Sequence, residues 1–140
     1  METIQKISVL YPAIAMMLLT LFLYTKNYFD NVRAAKKRTL NLNYFKVYKG
    51  EVPDYIEVTR QTLKNQFELP IFFYFLISVI LAFGNVSQVD VILAWAFVWS
   101  RYIHCYIRLT NNYVPWRSKF FIFGMIILIV WWSSFLINIL

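Results

Sequence analysis

The side chains best suited to chemistry fall in three short stretches of the chain. Asn65 and Glu68 stand three apart, so a helix puts them on one face within about a turn and a half. Arg101, His104 and Arg108 follow at i, i+3 and i+7, again one helical face. Arg117 and Ser118 make the third group. Guanidinium groups beside an amide, a carboxylate and an imidazole are equipped to hold an anion. Inside an apolar setting such ionisable groups face partners, water or a ligand. Blander roles are open for each. Glu68 and Arg101 are a candidate structural ion pair, and His104 is a candidate core histidine. Arg108, Arg117 and Lys119 could anchor lipid phosphates by snorkelling. Cys105 reads as a small core residue.

The elements that must position these residues are apolar and long. Ile7 to Tyr24, Phe67 to Phe83, Val89 to Ile107 and Phe120 to Leu140 each approach the ~20 residues that carry a helix across a ~30 Å hydrocarbon core. Barrel strands would be about ten residues long and would alternate polar with apolar, which these stretches do not. The expected fold class is therefore all-α, an integral membrane four-helix bundle in a single domain over residues 1–140. Depth reinforces the grouping. Arg101 lies about 10 Å along its helix from Arg108, by the 1.5 Å rise per residue. With spans two, three and four crossing in alternation, all three polar groups converge near one membrane face.

Charge tells which face. The 140-residue chain is 60% hydrophobic, 20% aromatic and 15% charged, with a net charge of +7 and a mean hydropathy of +0.54. Nine of its 14 Lys and Arg residues lie between Lys26 and Lys64. The third connection adds Arg108, Arg117 and Lys119 without an acid, whereas Gly84 to Gln88 has no basic residue. The positive-inside rule places the first and third loops in the cytoplasm and both termini outside it. Clustering beside apolar runs assigns the positive charge to lipid headgroups and orientation rather than nucleic acid. Within the first loop, residues 26–60, Pro53 and Asp54 form a start signal for a helix over Tyr55 to Lys64 that extends span two. One cysteine permits no internal disulfide, and no Cys/His cluster suggests a metal.

With these residues placed, the chain resembles the membrane-associated proteins of eicosanoid and glutathione metabolism, the MAPEG family, in a bacterial-type form. The resemblance runs through Asn31 to Lys37 (NVRAAKK), Asn65 to Pro70 (NQFELP) and, most specifically, Arg101 to Ser118 (RYIHCYIRLTNNYVPWRS). It implies a homotrimer with a site between protomers near the cytoplasmic face, and a bacterial inner-membrane location. It also implies glutathione as the bound thiol and a lipophilic small molecule as the second substrate. By position, Arg33, Lys64, Asn65, Glu68, Arg101, His104 and Arg108 would form the binding set. Arg117, with Ser118 nearby, would stabilise the thiolate, since a guanidinium lowers a neighbouring thiol's pKa.

Two positions depart from the family pattern. Many active members carry an arginine four residues before the Asn of Asn-x-x-Glu, where this chain has Gln61. Characterised enzymes tend to a tyrosine where this chain has Arg108. Two functions are therefore expected to compete. One is a glutathione-dependent transferase or peroxidase acting on lipophilic electrophiles. The other is a non-catalytic trimer that binds a lipid or another amphiphilic anion in the cleft between protomers. A transporter is disfavoured, because no repeat with interrupted helices is visible.

Overall fold

A computed structural model describes residues 2–139, with side chains from Ile7 onward. Leu140, the expected end of span four, and the side chains of Glu2 and Lys6 lie outside the described residues. The chain is all-α. Its helices are α1 (Glu2–Lys36), α2 (Tyr44–Val47), α3 (Asp54–Lys64), α4 (Leu69–Phe83), α5 (Gln88–Leu109) and α6 (Val114–Ile139), with a 3₁₀ turn (Asn65–Phe67) joining α3 to α4.

Three of these runs, Ile7–Lys36, Asp54–Phe83 and Val114–Ile139, are long and apolar enough to cross a membrane. In the most apolar window of each, a third or less of the residues are buried within the protein. Leu18, Phe22, Phe75 and Ile129 all face outward, each more than half exposed. Such an exterior suits lipid, and the protein has the make-up of a multi-pass membrane protein. Of the four apolar spans expected, three are found by length and composition. Helix α5 is 22 residues long, about 33 Å, but it is not among the runs apolar enough to cross. The physical reason is its polar face: Arg101, His104 and Arg108 dilute its hydropathy, and the fold turns all three inward.

Helix α5 is the hub. It packs along α6 and also touches α1 and α3, while α4 meets α1 and α6. At the heart of the bundle Phe73 of α4 stacks on Phe97 of α5 with centroids 4.8 Å apart. Trp131 of α6 meets Phe73 edge-on, and all three rings have no exposed surface. Gly124 lets α5 and α6 close up, because a Cβ there would sit 2.6 Å from the Ser100 hydroxyl oxygen. At the end of the bundle remote from the arginines, Asp90 does two jobs. It completes a capping box with Ser87 at the start of α5, and it accepts a 2.7 Å hydrogen bond from the indole of buried Trp131. The loop before it opens on Gly84, whose φ of 82° caps α4 in the left-handed region where glycine is unstrained.

The first connection is more ordered than a 35-residue loop. Helix α1 runs to Lys36, well beyond its apolar stretch, and α3 starts at Asp54 as its Pro-Asp signal indicates. Together they form a crown above the bundle with its own small core of Ala34, Leu40, Tyr44 and Ile56. Asp30 ties the two helices, accepting from Thr59 at 2.8 Å and from Lys26 at 2.6 Å. Tyr44 donates to Glu57 at 3.1 Å. Burial, then that hydrogen bond, raises its phenol above the ordinary tyrosine pKa, so it remains a donor. Helix α3 does not run smoothly into α4. The chain breaks at Glu68 (φ −104°, ψ −99°), because Pro70 offers no N–H to continue the ladder and clashes with the preceding turn.

Candidate functional site

The break at Glu68 sets the geometry of the site. The last turn of α3 and the 3₁₀ turn present Gln61, Asn65 and Glu68 toward the C-terminal half of α5. The first turns of α6 bring Arg117 and Ser118 to the same level. Residues Asn111 and Asn112 make this possible: Asn112 takes a positive φ of 51° and reverses the chain between α5 and α6. Its side chain then accepts from Nη1 of Arg117, which fixes that guanidinium over the turn.

Arg108 is the centre of the cluster. Its Nη2 donates to the Gln61 side-chain oxygen at 2.5 Å. With the Asn65 amide oriented to satisfy both its atoms, Nη1 of Arg108 donates to Asn65 at 2.9 Å, and the Asn65 nitrogen donates to Glu68 at 3.3 Å. The two positions that depart from the family pattern thus touch each other.

Arg101 is fully buried one helical layer deeper. Its Nη2 makes a 3.5 Å contact with the backbone oxygen of Asn65, and its guanidinium lies 5.2 Å from the centre of the Phe121 ring. Its Nε and Nη1 have no hydrogen-bond partner. Glu68 is exposed and does not pair with it: among the described residues the ion pairs are Lys26–Asp30 and Glu57–Arg60. The structural ion pair considered from the sequence is therefore not formed. Removing one partner from a buried pair typically costs 3–5 kcal/mol, which marks how unfavourable this unpaired charge is. A cation–π contact recovers about 2 kcal/mol when desolvated.

His104, also buried, places Nδ1 2.8 Å from the backbone oxygen of Arg117. Because that partner only accepts, Nδ1 must carry the proton. In the neutral ring Nε2 is then an acceptor, and it is buried without a partner. The same contact locks α5 to the first turns of α6.

Two cavities meet at this cluster. One, about 340 Å³, is lined by Asn65, His104, Arg108, Arg117, Ser118 and Phe121. The other, about 290 Å³, is lined by Arg60, Gln61, Lys64, Asn65, Glu68 and Arg108. They share Asn65 and Arg108. The larger contains two guanidiniums and no carboxylate, a surface made for an anion.

Of the nine residues expected at the site, seven therefore line one or both cavities: Lys64, Asn65, Glu68, His104, Arg108 and Arg117, together with Ser118. Arg101 sits behind the larger cavity. Arg33 is the exception. It is exposed in the last turn of α1 and lines neither cavity. Sequence reasoning missed Asn112 and Phe121. The Asn-Asn pair is a turn signal that could have been used, whereas nothing in the spacing marks Phe121.

A profile of the MAPEG family matches residues 9–137. The chain belongs to the MAPEG family. No curated protein and no solved structure matches it. MAPEG membership covers all four bundle helices, the crown and every residue of the site.

Proposed function

We propose that this MAPEG protein is a glutathione-dependent transferase or peroxidase acting on lipophilic electrophiles. In this reading α1, α4, α5 and α6 all cross the bilayer, with both termini outside the cytoplasm, in a bacterial inner membrane. The protein works as a homotrimer. The observation that carries the reading is the excess of guanidinium over carboxylate: Arg108 and Arg117 line one cavity without an acid, and Arg101 behind them has two unpartnered N–H groups.

That donor set fits glutathione, which carries two carboxylates, one ammonium and a thiol. When bound, glutathione supplies a thiol sulfur that attacks the electrophile. Arg108, in the wall that both cavities share, attracts a carboxylate, and the buried charge of Arg101 behind it adds to that attraction. Glu68, exposed at the helix break, receives the ammonium. Asn65, already an acceptor for Arg108 and a donor to Glu68, keeps these two opposite charges at a fixed separation, and Lys64 supports the outer rim. Arg117 lowers the pKa of the thiol by favouring its anion, with Ser118 as a neighbouring donor and Asn112 steadying the guanidinium. His104 positions Arg117 through its carbonyl.

The non-catalytic reading finds support in one observation. Gln61 and Asn65 already engage Arg108, so a lipid headgroup could be held by Arg117 and Lys119 without any thiol chemistry. Titration of detergent-purified protein with glutathione separates the two. A saturable thiolate absorbance band near neutral pH, lost in Arg117→Ala, is the expected result. Absence of both binding and band would sink the thiol reading.

A further inference from the structure

A buried cation ordinarily meets a carboxylate. Arg108 is buried, yet it is not among the ion pairs of the described residues. Two neutral amides hold its guanidinium instead, Gln61 at 2.5 Å on Nη2 and Asn65 at 2.9 Å on Nη1. An amide oxygen satisfies an N–H without cancelling the charge. The charge of Arg108 therefore stays available to an anion in the cavities that it lines.

An amide is a good clamp only when it presents the right end. Its oxygen attracts a guanidinium, whereas its nitrogen, also a donor, repels one. What turns each amide lies on its far side. The Asn65 nitrogen donates to Glu68 at 3.3 Å, and the Gln61 nitrogen donates to Oε1 of Glu57 at 2.8 Å. A carboxylate can only accept, so each one forces the amide oxygen toward Arg108. Glu68 already belongs to the site. Glu57 is its counterpart on α3, and it lines neither cavity.

Glu57 is itself firmly placed. It stands three residues before Arg60 and four before Gln61, the spacings that bring side chains together on a helix. Arg60 holds both of its oxygens, Nη2 on Oε1 at 2.6 Å and Nε on Oε2 at 3.2 Å, and Tyr44 of α2 donates to Oε2 at 3.1 Å. Arg60 in turn lies 5.0 Å from the centre of the Tyr48 ring. The crown thus fixes one carboxylate from two sides, and a single side chain carries that orientation across to α5. We propose that Glu57 is a positioning residue of the anion site: acting through Gln61, it sets the direction of the Arg108 guanidinium without touching the ligand. The proposal rests on the glutathione reading for the identity of the anion. It also gives Gln61 a role that an arginine could not fill, since an arginine has no acceptor to offer Arg108.

The sign of one substitution separates this relay from plain electrostatics. Removing a carboxylate near an anion site strengthens anion binding by charge alone. Glu57→Ala should do the reverse. In the detergent-purified full chain, the glutathione concentration that half-saturates the thiolate band should rise about fivefold, the scale of one hydrogen bond. The band at saturation should keep its height, because Arg117 is held by Asn112 and not by this relay. Tyr44→Phe spares the Gln61 contact and should leave the affinity unchanged. In a Gln61→Met background, Glu57→Ala should weaken binding no further. Unchanged or tighter binding in Glu57→Ala, the same loss with and without Gln61, or an equal loss from Tyr44→Phe would overturn the proposal. Melting temperatures without ligand supply an arm free of thiol chemistry. The effects of Glu57→Ala and Arg108→Met should be non-additive with Gln61 present and additive in the Gln61→Met background. Additivity in both backgrounds would overturn the relay. A wild type that keeps this coupling but binds no glutathione would remove the thiol reading and leave the relay standing.

Discussion

A guanidinium with no exposed surface and one long hydrogen bond, as on Arg101, is a poor choice for stability alone. Replacing a buried charge by a well-packed apolar side chain is often neutral or stabilising by 1–4 kcal/mol. Arg101→Met should therefore raise the melting temperature of the ligand-free protein. A ligand that binds only the folded state stabilises it by mass action. Glutathione should accordingly protect the wild type against heat and fail to protect Arg101→Met. A variant less stable than wild type without ligand would show that Arg101 serves the fold instead. The neighbouring pair Gln61 and Arg108 invites a second test. Gln61→Arg sets two guanidiniums where a 2.5 Å hydrogen bond now stands, and like charges that close destabilise. Adding Arg108→Tyr should relieve the repulsion, so the double variant should melt above the single one. Additive losses would refute a direct coupling between the two positions.

At the level of elements, the approach of α5 to α6 is what brings Arg117 to His104. One close point of that approach is Gly124 against Ser100. Gly124→Ala should lower thermal stability by about 1–3 kcal/mol through overpacking, and weaken the thiolate band by parting the two helices. Pairing it with Ser100→Gly, which removes the obstructing side chain, should restore both. Failure of that rescue would mean that the helices are held apart by other contacts. Much of this layer was legible in the sequence. The shared face of Arg101, His104 and Arg108 follows from 3.6-residue periodicity and is found buried as one stripe. The Pro-Asp start of α3 was equally plain. The apolar character of α5 was overestimated, because residues that face a protein interior need not be apolar enough for lipid. The break at Glu68 was missed for a related reason. Asn65 and Glu68 were placed on one smooth helix, while Pro70 two residues on divides it. The continuation of α1 to Lys36 was also hidden, since charged residues after an apolar run look the same in a loop and in a helix projecting into water.

For the whole molecule, Arg33 is the residue that a single protomer does not explain. It is exposed at the top of α1 and reaches neither cavity of its own chain. In a closed homotrimer of the kind proposed, each α1 lies against a neighbour, and a cyclic interface lets one subunit complete the site of the next. Arg33 would then supply its charge in trans, at the rim of the neighbour's Arg117 cavity. Co-expression decides this. Arg33→Ala and Arg117→Ala should each be inactive alone in thiol activation. Mixed at random in equal amounts, they should regain about a quarter of wild-type sites. A site needs a protomer with intact Arg117 and a neighbour with intact Arg33, each chosen half the time. Recovery at that level requires a site built from two chains. No recovery, with both variants folded and trimeric, would return Arg33 to the plain role of an orienting charge on the cytoplasmic side.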